Sequence, residues 1–260
     1  MFKEYFIYNI PQTTLAAGTG VVFTELDLKI YGGDFIFKRT IHTATDNRIL
    51  NKILDSRTGR FLFKGSDDLR SVSGTSLTGI TANGFLPYNW PHPYKGINNA
   101  IMQFFFSDFS GAPNTLNIAY HGDIVGRNAP QDKSGKDYDV NDRRVTVPLV
   151  YEIPSVTTAA PAGSQVQSVL VTDNDADFIC TKITGIFTGA GFVTVQDLAR
   201  DIYWQNIKTY NAHFAGNGQF PNVLTSPIFI KANSRILLTY ENGTAAPNTA
   251  TIYLHGYKRF

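Results

Sequence analysis

The sequence predicts an all-β protein made of two tandem jelly-roll (β-sandwich) domains related by internal duplication. Three observations lead there. Short stretches of period-two alternation recur at regular spacing, separated by Gly, Pro, Asn and Asp, as in sandwiches and jelly rolls. Helix formers are scarce: Glu occurs four times in 260 residues against 19 Phe and 13 Tyr, so strand and turn chemistry prevails. Finally, the chain repeats itself, and such repeats govern the reading of the whole fold.

The repeat is clearest where Ala112-Pro113-Asn114-Thr115 and His121-Gly122 return as Ala246-Pro247-Asn248-Thr249 and His255-Gly256, 134 residues later. At that offset, residues 84–122 share eleven identities with their counterparts, against about two or three by chance. The front of each half matches at offset 143, with Tyr8, Ile10 and Pro11 facing Tyr151, Ile153 and Pro154, and Asp34-Phe35-Ile36 facing Asp177-Phe178-Ile179. The difference of nine places extra residues in the first half, between about 37 and 83. The division is a first jelly roll over 1–125, a linker over 126–147 and a second jelly roll over 148–260, each roll long enough to bury a core.

Each element follows from local pattern. Lys3–Ile10 is a strand stopped by Pro11, and Thr13–Gly20 a small-residue turn. Val21–Tyr31 alternates (Phe23, Glu25 and Asp27 against Val22, Leu26 and Leu28), as does Phe35–Ile41, with Gly32-Gly33-Asp34 turning between them. Asp46–Leu54 carries Ile49, Leu50, Ile53 and Leu54 at helical spacing and predicts a short helix. Arg60–Lys64 is a short strand, and Ser66–Gly84 a long polar loop, a functional or interface-forming type. Phe85–Tyr94 has three prolines in ten residues, so it is no central strand. Ala100–Phe106 and Thr115–Val125 are strands, and Gly126–Arg144 is a polar linker of mixed charge. The scheme repeats through Thr146–Ile153, Gln165–Thr172, Asp177–Ile183, Gly191–Gln196, Ile228–Ile230, Arg235–Tyr240 and Thr249–Lys258. Asp197–Tyr210 differs, with Leu198 and Ile202 on one face predicting one or two helical turns behind an Asp197 cap.

Composition narrows the function classes. A net charge of +2 gives no global basic field, so sequence-specific nucleic-acid binding is not expected. Modest basic clusters (Lys64, Arg70, Arg127, Lys133, Lys136, Arg143, Arg144) fall in loop and linker and read as solvated, with lipid headgroups or packaged genome as the alternative. Cys180 is the single cysteine, so no internal disulfide forms, and its strand-like surroundings read as an inert core thiol. The first residues lack a secretory apolar core, and no run of about 18 apolar residues spans a membrane, so folding in a reducing cytosol is expected.

The chemistry candidates each carry a plain structural reading. His121 and His255 sit at equivalent positions before glycine; a strand-end imidazole bonding to backbone is the structural reading, pH sensing or metal binding the functional one. Asp173, Asp175 and Asp177 have the carboxylate spacing of a calcium loop, but Phe178 stands where its glycine belongs and Thr184 where its glutamate belongs. They align with the hairpin turn 30–34, which favours a tight polar turn; calcium is the one cofactor this leaves open. Trp90, Tyr88, Tyr94, Tyr203 and Trp204, with Tyr210, suit packing at a domain or subunit interface, or stacking on sugar rings. No Ser/His/Asp set, paired catalytic carboxylates, P-loop or zinc spacing stands out, and the Gly185–Gly191 run matches no phosphate loop, so an enzyme is not expected.

Taken together, the duplicated strand-rich halves, low charge, single cysteine, many aromatics and long loops at repeated positions resemble the double jelly-roll major capsid proteins of tailless icosahedral double-stranded DNA viruses and phages. The resemblance is architectural and covers almost the whole chain. It implies a homotrimer forming a pseudo-hexagonal capsomer that tiles an icosahedral shell, other virion proteins as partners, an inner membrane surface where the virus has one, and a virion assembled in the host cytoplasm. The alternatives are a minor virion component (decoration, vertex or tail-adaptor protein) or a carbohydrate- or receptor-binding sandwich. The halves differ at the insertion, expected at residues 42–60, and at Asp197–Tyr210, both expected at contacts with neighbours or in outer loops.

Overall fold

The computed structural model describes residues 2–17, 22–28, 33–45, 49–62, 67–68, 74–77, 84–85, 87–98, 100–126, 128–132, 135–137, 139 and 146–260. Two all-β sandwiches follow one another. The first sheet of roll one runs β1 (Lys3–Leu15), β11 (Asn114–Val125), β3 (Asp34–Ala44), β9 (Tyr88–Gly96), all antiparallel. Facing it are β2 (Val22–Asp27), β10 (Ile101–Asp108) and β4 (Ile49–Asp55), with the two-residue strands β5 (Arg60–Phe61) and β6 (Asp67–Asp68) both on β4. Roll two repeats this order: β12 (Thr146–Thr157), β20 (Thr249–Arg259), β14 (Asp177–Phe187), β18 (Asn222–Ile230) against β13 (Gln165–Val171), β19 (Arg235–Asn242), β15 (Gly191–Asp197), with β16 (Ile202–Tyr203) and β17 (Thr209–Tyr210) on β15. With the two short strands counted as one position, both rolls read first–eighth–third–sixth and second–seventh–fourth–fifth. That is the double Greek key of a jelly roll.

The halves match down to their irregularities. The β1–β11 register shifts between Ile10 and Thr13, and the β12–β20 register shifts between Ile153 and Val156. Each shift spans a repeated proline, Pro11 or Pro154, which donates no ladder hydrogen bond and so sits at a bulge. A second shared bulge explains the repeated His-Gly. Opposite His121-Gly122 the partner strand passes from Arg39 to Phe37, and opposite His255-Gly256 from Lys182 to Cys180. A Cβ on Gly122 would stand 1.9 Å from the Ile36 carbonyl oxygen, and on Gly256 1.9 Å from that of Ile179. Only glycine lets the strands close there. The histidines are thus interior to their strands rather than at strand ends, because β11 and β20 continue past them.

Each roll has a core between its sheets, filled differently. In roll one it is aromatic, with Tyr8, Phe35, Phe37 and Tyr120 meeting edge to face at 4.6–5.6 Å, beside Phe104 and Phe106. In roll two Tyr151 and Phe178 keep the edge-to-face contact of Tyr8 and Phe35 at 4.8 Å, while Cys180, Leu254, Leu238 and Tyr240 stand for Phe37, Tyr120, Phe104 and Phe106. Cys180 is fully buried, and burial pushes its thiol up to about 12, as an inert core residue requires.

Three local expectations give way to tertiary pairing. Ile49–Asp55 is strand β4, not helix: it pairs with β10, burying Ile49 and Ile53 while Lys52 and Leu54 face outward. Apolar residues on both faces imitated a helical spacing there. Within Asp197–Tyr210 the helical turns are replaced by β16 and β17, which complete the sheet edge on β15; one helical turn, α1 (Asn211–Phe214), follows them. The extra residues of roll one lie chiefly between β6 and β9, not at 42–60, since the strand offset is 143 at β1 and β3 and 142 from β4 to β6, but 134 from β9 onward. Part of that stretch falls outside the described residues; the rest adds β7 (Gly74–Leu77), parallel to β3, and β8 (Gly84–Phe85) on β7. The long loop expected at 66–84 therefore contains strand. The proline-rich segment becomes β9 at the sheet edge, where a missing N–H costs nothing. Between the rolls, the Asp139 carbonyl accepts from the Arg259 guanidinium at 2.8 Å and the buried Asp132 caps the Lys136 N–H at 3.0 Å, so the linker is tied down at these points. Lys64, Arg70, Arg127, Lys133, Arg143 and Arg144 lie outside the described residues.

Gly122→Ala and Gly256→Ala should each destabilise the chain by about 3 kcal/mol, lowering the melting temperature by several degrees. Gly218→Ala, where an added Cβ meets nothing within 4 Å, should leave it unchanged. Thermal melts of the three variants check this.

Candidate functional site

The strand β1 is buried on both faces from Glu4 to Ile10, whereas its counterpart β12 alternates. The cause is roll two, whose flank (β16 to β18 with α1) covers the outer face and free edge of roll one's first sheet. Tyr5, Ile7, Ile41 and Ala119 belong to the apolar cluster of roll two rather than that of roll one. Ile7 continues the ladder across the boundary, donating its N–H to the Trp204 carbonyl at 3.0 Å and accepting from the Asn206 N–H at 3.2 Å.

Most polar groups buried in this seam are paired, as desolvation demands, the side-chain oxygens of Gln205 and Asn222 being exceptions. Asn9 and Asn206 exchange amides: the Asn9 N–H donates to Asn206 Oδ1 at 2.7 Å, and Asn206 Nδ2 donates to the Asn9 carbonyl at 3.0 Å. Asn9 Nδ2 also donates to Thr209 Oγ1 at 2.7 Å. Asn222 Nδ2 donates to the Tyr5 hydroxyl at 2.9 Å, which leaves that hydroxyl to donate to His121 Nδ1. Burial holds the Tyr5 hydroxyl far above its ordinary range. It also holds His121 well below the usual imidazole value, helped by repulsion from Arg39 and His213. His213 bonds Thr43 Oγ1 at 2.5 Å, and burial beside His42 pushes it down to about 3. Two charged links flank this centre. Arg200 grips Glu4 through two hydrogen bonds of 2.5 and 2.8 Å and donates to the Phe229 carbonyl at 2.9 Å. Asp123, fully buried, accepts from Lys38 and from Thr225 Oγ1. Arg39 donates to the Val223 carbonyl.

The residues expected to carry function are dispersed by the fold. His121 enters the seam and meets a hydroxyl, not backbone; His255 bonds Thr184 Oγ1 at 2.8 Å on the outer face of roll two. Asp173 and Asp175 both bind the Lys258 ammonium, at 2.6 and 2.8 Å, while Asp177 turns away to accept from the Ala232 N–H at 2.9 Å. The lysine sits where a cation would, and among the described residues no group of three His, Cys, Asp or Glu is disposed to hold a metal. Trp90 stacks on Phe37 and donates to Thr40 within roll one, and Tyr94 donates to Asp55. Tyr88 is half-buried on β9, and Trp204 is buried in the roll-two cluster, with its backbone in the seam. Tyr203 stays exposed on β16. Of the seam's residues only His121 and Trp204 stand out in the sequence; the signal available for the rest is Asn9 inside the apolar run of β1.

The face of roll two equivalent to the covered face of roll one is open. Val150 is 50% exposed and Ile186 61%, with Tyr253, His255 and Tyr257 half-buried beside them.

No protein-family model and no curated relative matches the chain. Among solved structures it is similar to a protein from a study of the triple jelly roll fold and turret assembly in an archaeal virus, with 11% identity and a TM-score of 0.28 over 95% of this chain and 59% of that one. It is also similar to a turret protein of Sulfolobus turreted icosahedral virus, with 11% identity and a TM-score of 0.23 over 98% and 99% of the two chains. The chain thus spans less than two thirds of the first of these.

Because His121 and His213 are held neutral in the folded chain, the unfolded chain takes up protons first as pH falls. Stability should be full above about 6.5 and decline below it, by up to about 1.4 kcal/mol per pH unit for each histidine, levelling near 3 for His213. Urea midpoints at pH 7, 6 and 5 check this, and His213→Gln should flatten the slope. Arg200→Ala, which strands the buried Glu4 carboxylate, should cost about 3 kcal/mol in the same assay.

Proposed function

We propose that this chain is a structural virion protein, the major capsid subunit, which associates as a homotrimer and tiles a shell. The observation that carries the reading is the one-sidedness of the seam. It joins two unlike surfaces, the first-sheet face of one roll and the short-strand flank of the next. Roll two keeps the open equivalent of the first surface, and roll one keeps the equivalent of the second around β5, β6 and β9. A second copy that repeats the contact makes a heterologous, head-to-tail joint, and such joints close into rings or run on as filaments. Three copies would present six near-equivalent rolls. Val150 and Ile186 supply the apolar centre of the joint, and Tyr253 and Tyr257 its aromatic anchors.

Light scattering on purified protein should give three times the 28.8 kDa chain mass, and electron microscopy should show closed shells or hexagonal capsomers. Val150→Asp with Ile186→Asp should leave a folded monomer. A parent chain that stays monomeric at high concentration overturns the reading, and a trimer that is a minor band in virions makes it a decoration, vertex or adaptor protein instead.

A further inference from the structure

The second sheet of roll two presents a groove of about 310 Å³ on its outer face. We infer that it binds a neutral, hydroxyl-rich ligand, an oligosaccharide. The groove runs across β13, β19 and β15, whose inward side chains Leu170, Leu238 and Val195 belong to the core. The β19 and β15 strands here are paired on both sides, so side chains must do the recognising.

Those side chains are oriented in advance. Gln165 Nε2 donates to Glu241 Oε2 at 2.9 Å, Gln167 Nε2 to Thr239 Oγ1 at 3.3 Å, and Gln196 Nε2 to Asp201 Oδ1 at 2.9 Å. Each tie holds an amide through its nitrogen, and the carbonyl oxygen of that amide is the group that would accept from a ligand hydroxyl. Fixed acceptors need little reordering when a ligand arrives. The one ammonium in the groove, Lys208, is held by Glu241 at 2.5 Å, so the lining is balanced and has no surplus charge for a polyanion or polycation. Tyr203, 38% exposed, supplies a ring face for the C–H side of a sugar, while the Phe192 ring beside it is covered by the Lys208 ammonium at 4.8 Å.

The fold does not impose this polar row. At the equivalent places roll one has Phe23 and Phe105, in ring contact at 5.2 Å, for Gln167 and Thr239, and Lys52 for Thr194. Roll one keeps a single comparable tie on that face, Gln103 Nε2 to Glu25 Oε1 at 2.9 Å, beside its aromatics, whereas roll two carries a row of them. A further cavity of about 590 Å³ shares Phe192, Lys208 and Glu241 with the groove and reaches Asn9 and Gln12 at the seam, giving length for more than one ring.

Saturation-transfer NMR and calorimetry would test this with neutral trisaccharides of glucose, galactose, mannose and N-acetylglucosamine, and a sialylated trisaccharide as charged control. At least one neutral sugar should saturate with a dissociation constant of about 1 mM or tighter. Tyr203→Ala and the Gln167→Leu/Gln196→Leu pair, with unchanged melting temperature, should each weaken it at least about tenfold, the scale of one or two lost hydrogen bonds. Gln103→Ala on the roll-one sheet should bind as the parent does. The inference is overturned if no neutral sugar saturates, if the sialylated control binds better, or if the variants bind as the parent. It is equally overturned if the substitutions lower the particle mass instead, since the groove would then be seating a second copy.

Discussion

Burial of hydrogen-bonding groups between the two rolls is the constraint on which the arrangement depends. The Asn9 and Asn206 side chains find their partners only on the opposite roll, and Asn222 of roll two donates to the buried Tyr5–His121 pair of roll one. A buried amide or hydroxyl without a partner costs more than the bond itself contributes. The pairing therefore selects one placement of roll two on roll one, where apolar contact through Ile7 and Ile41 alone would tolerate sliding. The Glu4–Arg200 pair and the Lys38–Asp123–Thr225 link add charged fixed points to the same seam.

Duplication followed by divergence explains the rest of the surface. The rolls share strand order, both bulges and the glycines that permit them, yet nearly every face differs. The first sheet is covered in roll one and open in roll two. The second sheet bears an exposed aromatic pair beside one fixed amide in roll one and a row of fixed amides in roll two. Where roll one threads β7 and β8, roll two has α1, whose His213 reaches across to Thr43. Backbone devices were retained because any side chain at Gly122 or Gly256 collides with a carbonyl. Surfaces were free to change because each answers to a different neighbour.

That division decides what was readable. Proline at a bulge and alternation along a strand are local demands, so Pro11, Pro154 and most strands stand out, whereas the two His-Gly pairs show only because the chain repeats them, their glycines answering to carbonyls on a distant strand. The β4 segment misled because Ile49 and Ile53 on one face and Leu54 on the other are all apolar, and only the pairing with β10 decides between period two and period 3.6. The extra residues were misplaced for a related reason. Sequence offsets bracket an insertion only between matched blocks, while strand pairing locates it between β6 and β9.

The aspartates and tryptophans show the limit most plainly. Asp173 and Asp175 sit on Lys258, which is distant in sequence, and Trp90 finds Phe37 and Thr40. From residue order alone came the strand class, the duplication and the turns, because backbone sterics and alternation act over a few residues. The seam, the open face beyond it and the amide-lined groove came only with the tertiary structure. Their chemistry depends on side chains from distant segments, and hydrogen bonding across that distance leaves no period in the chain.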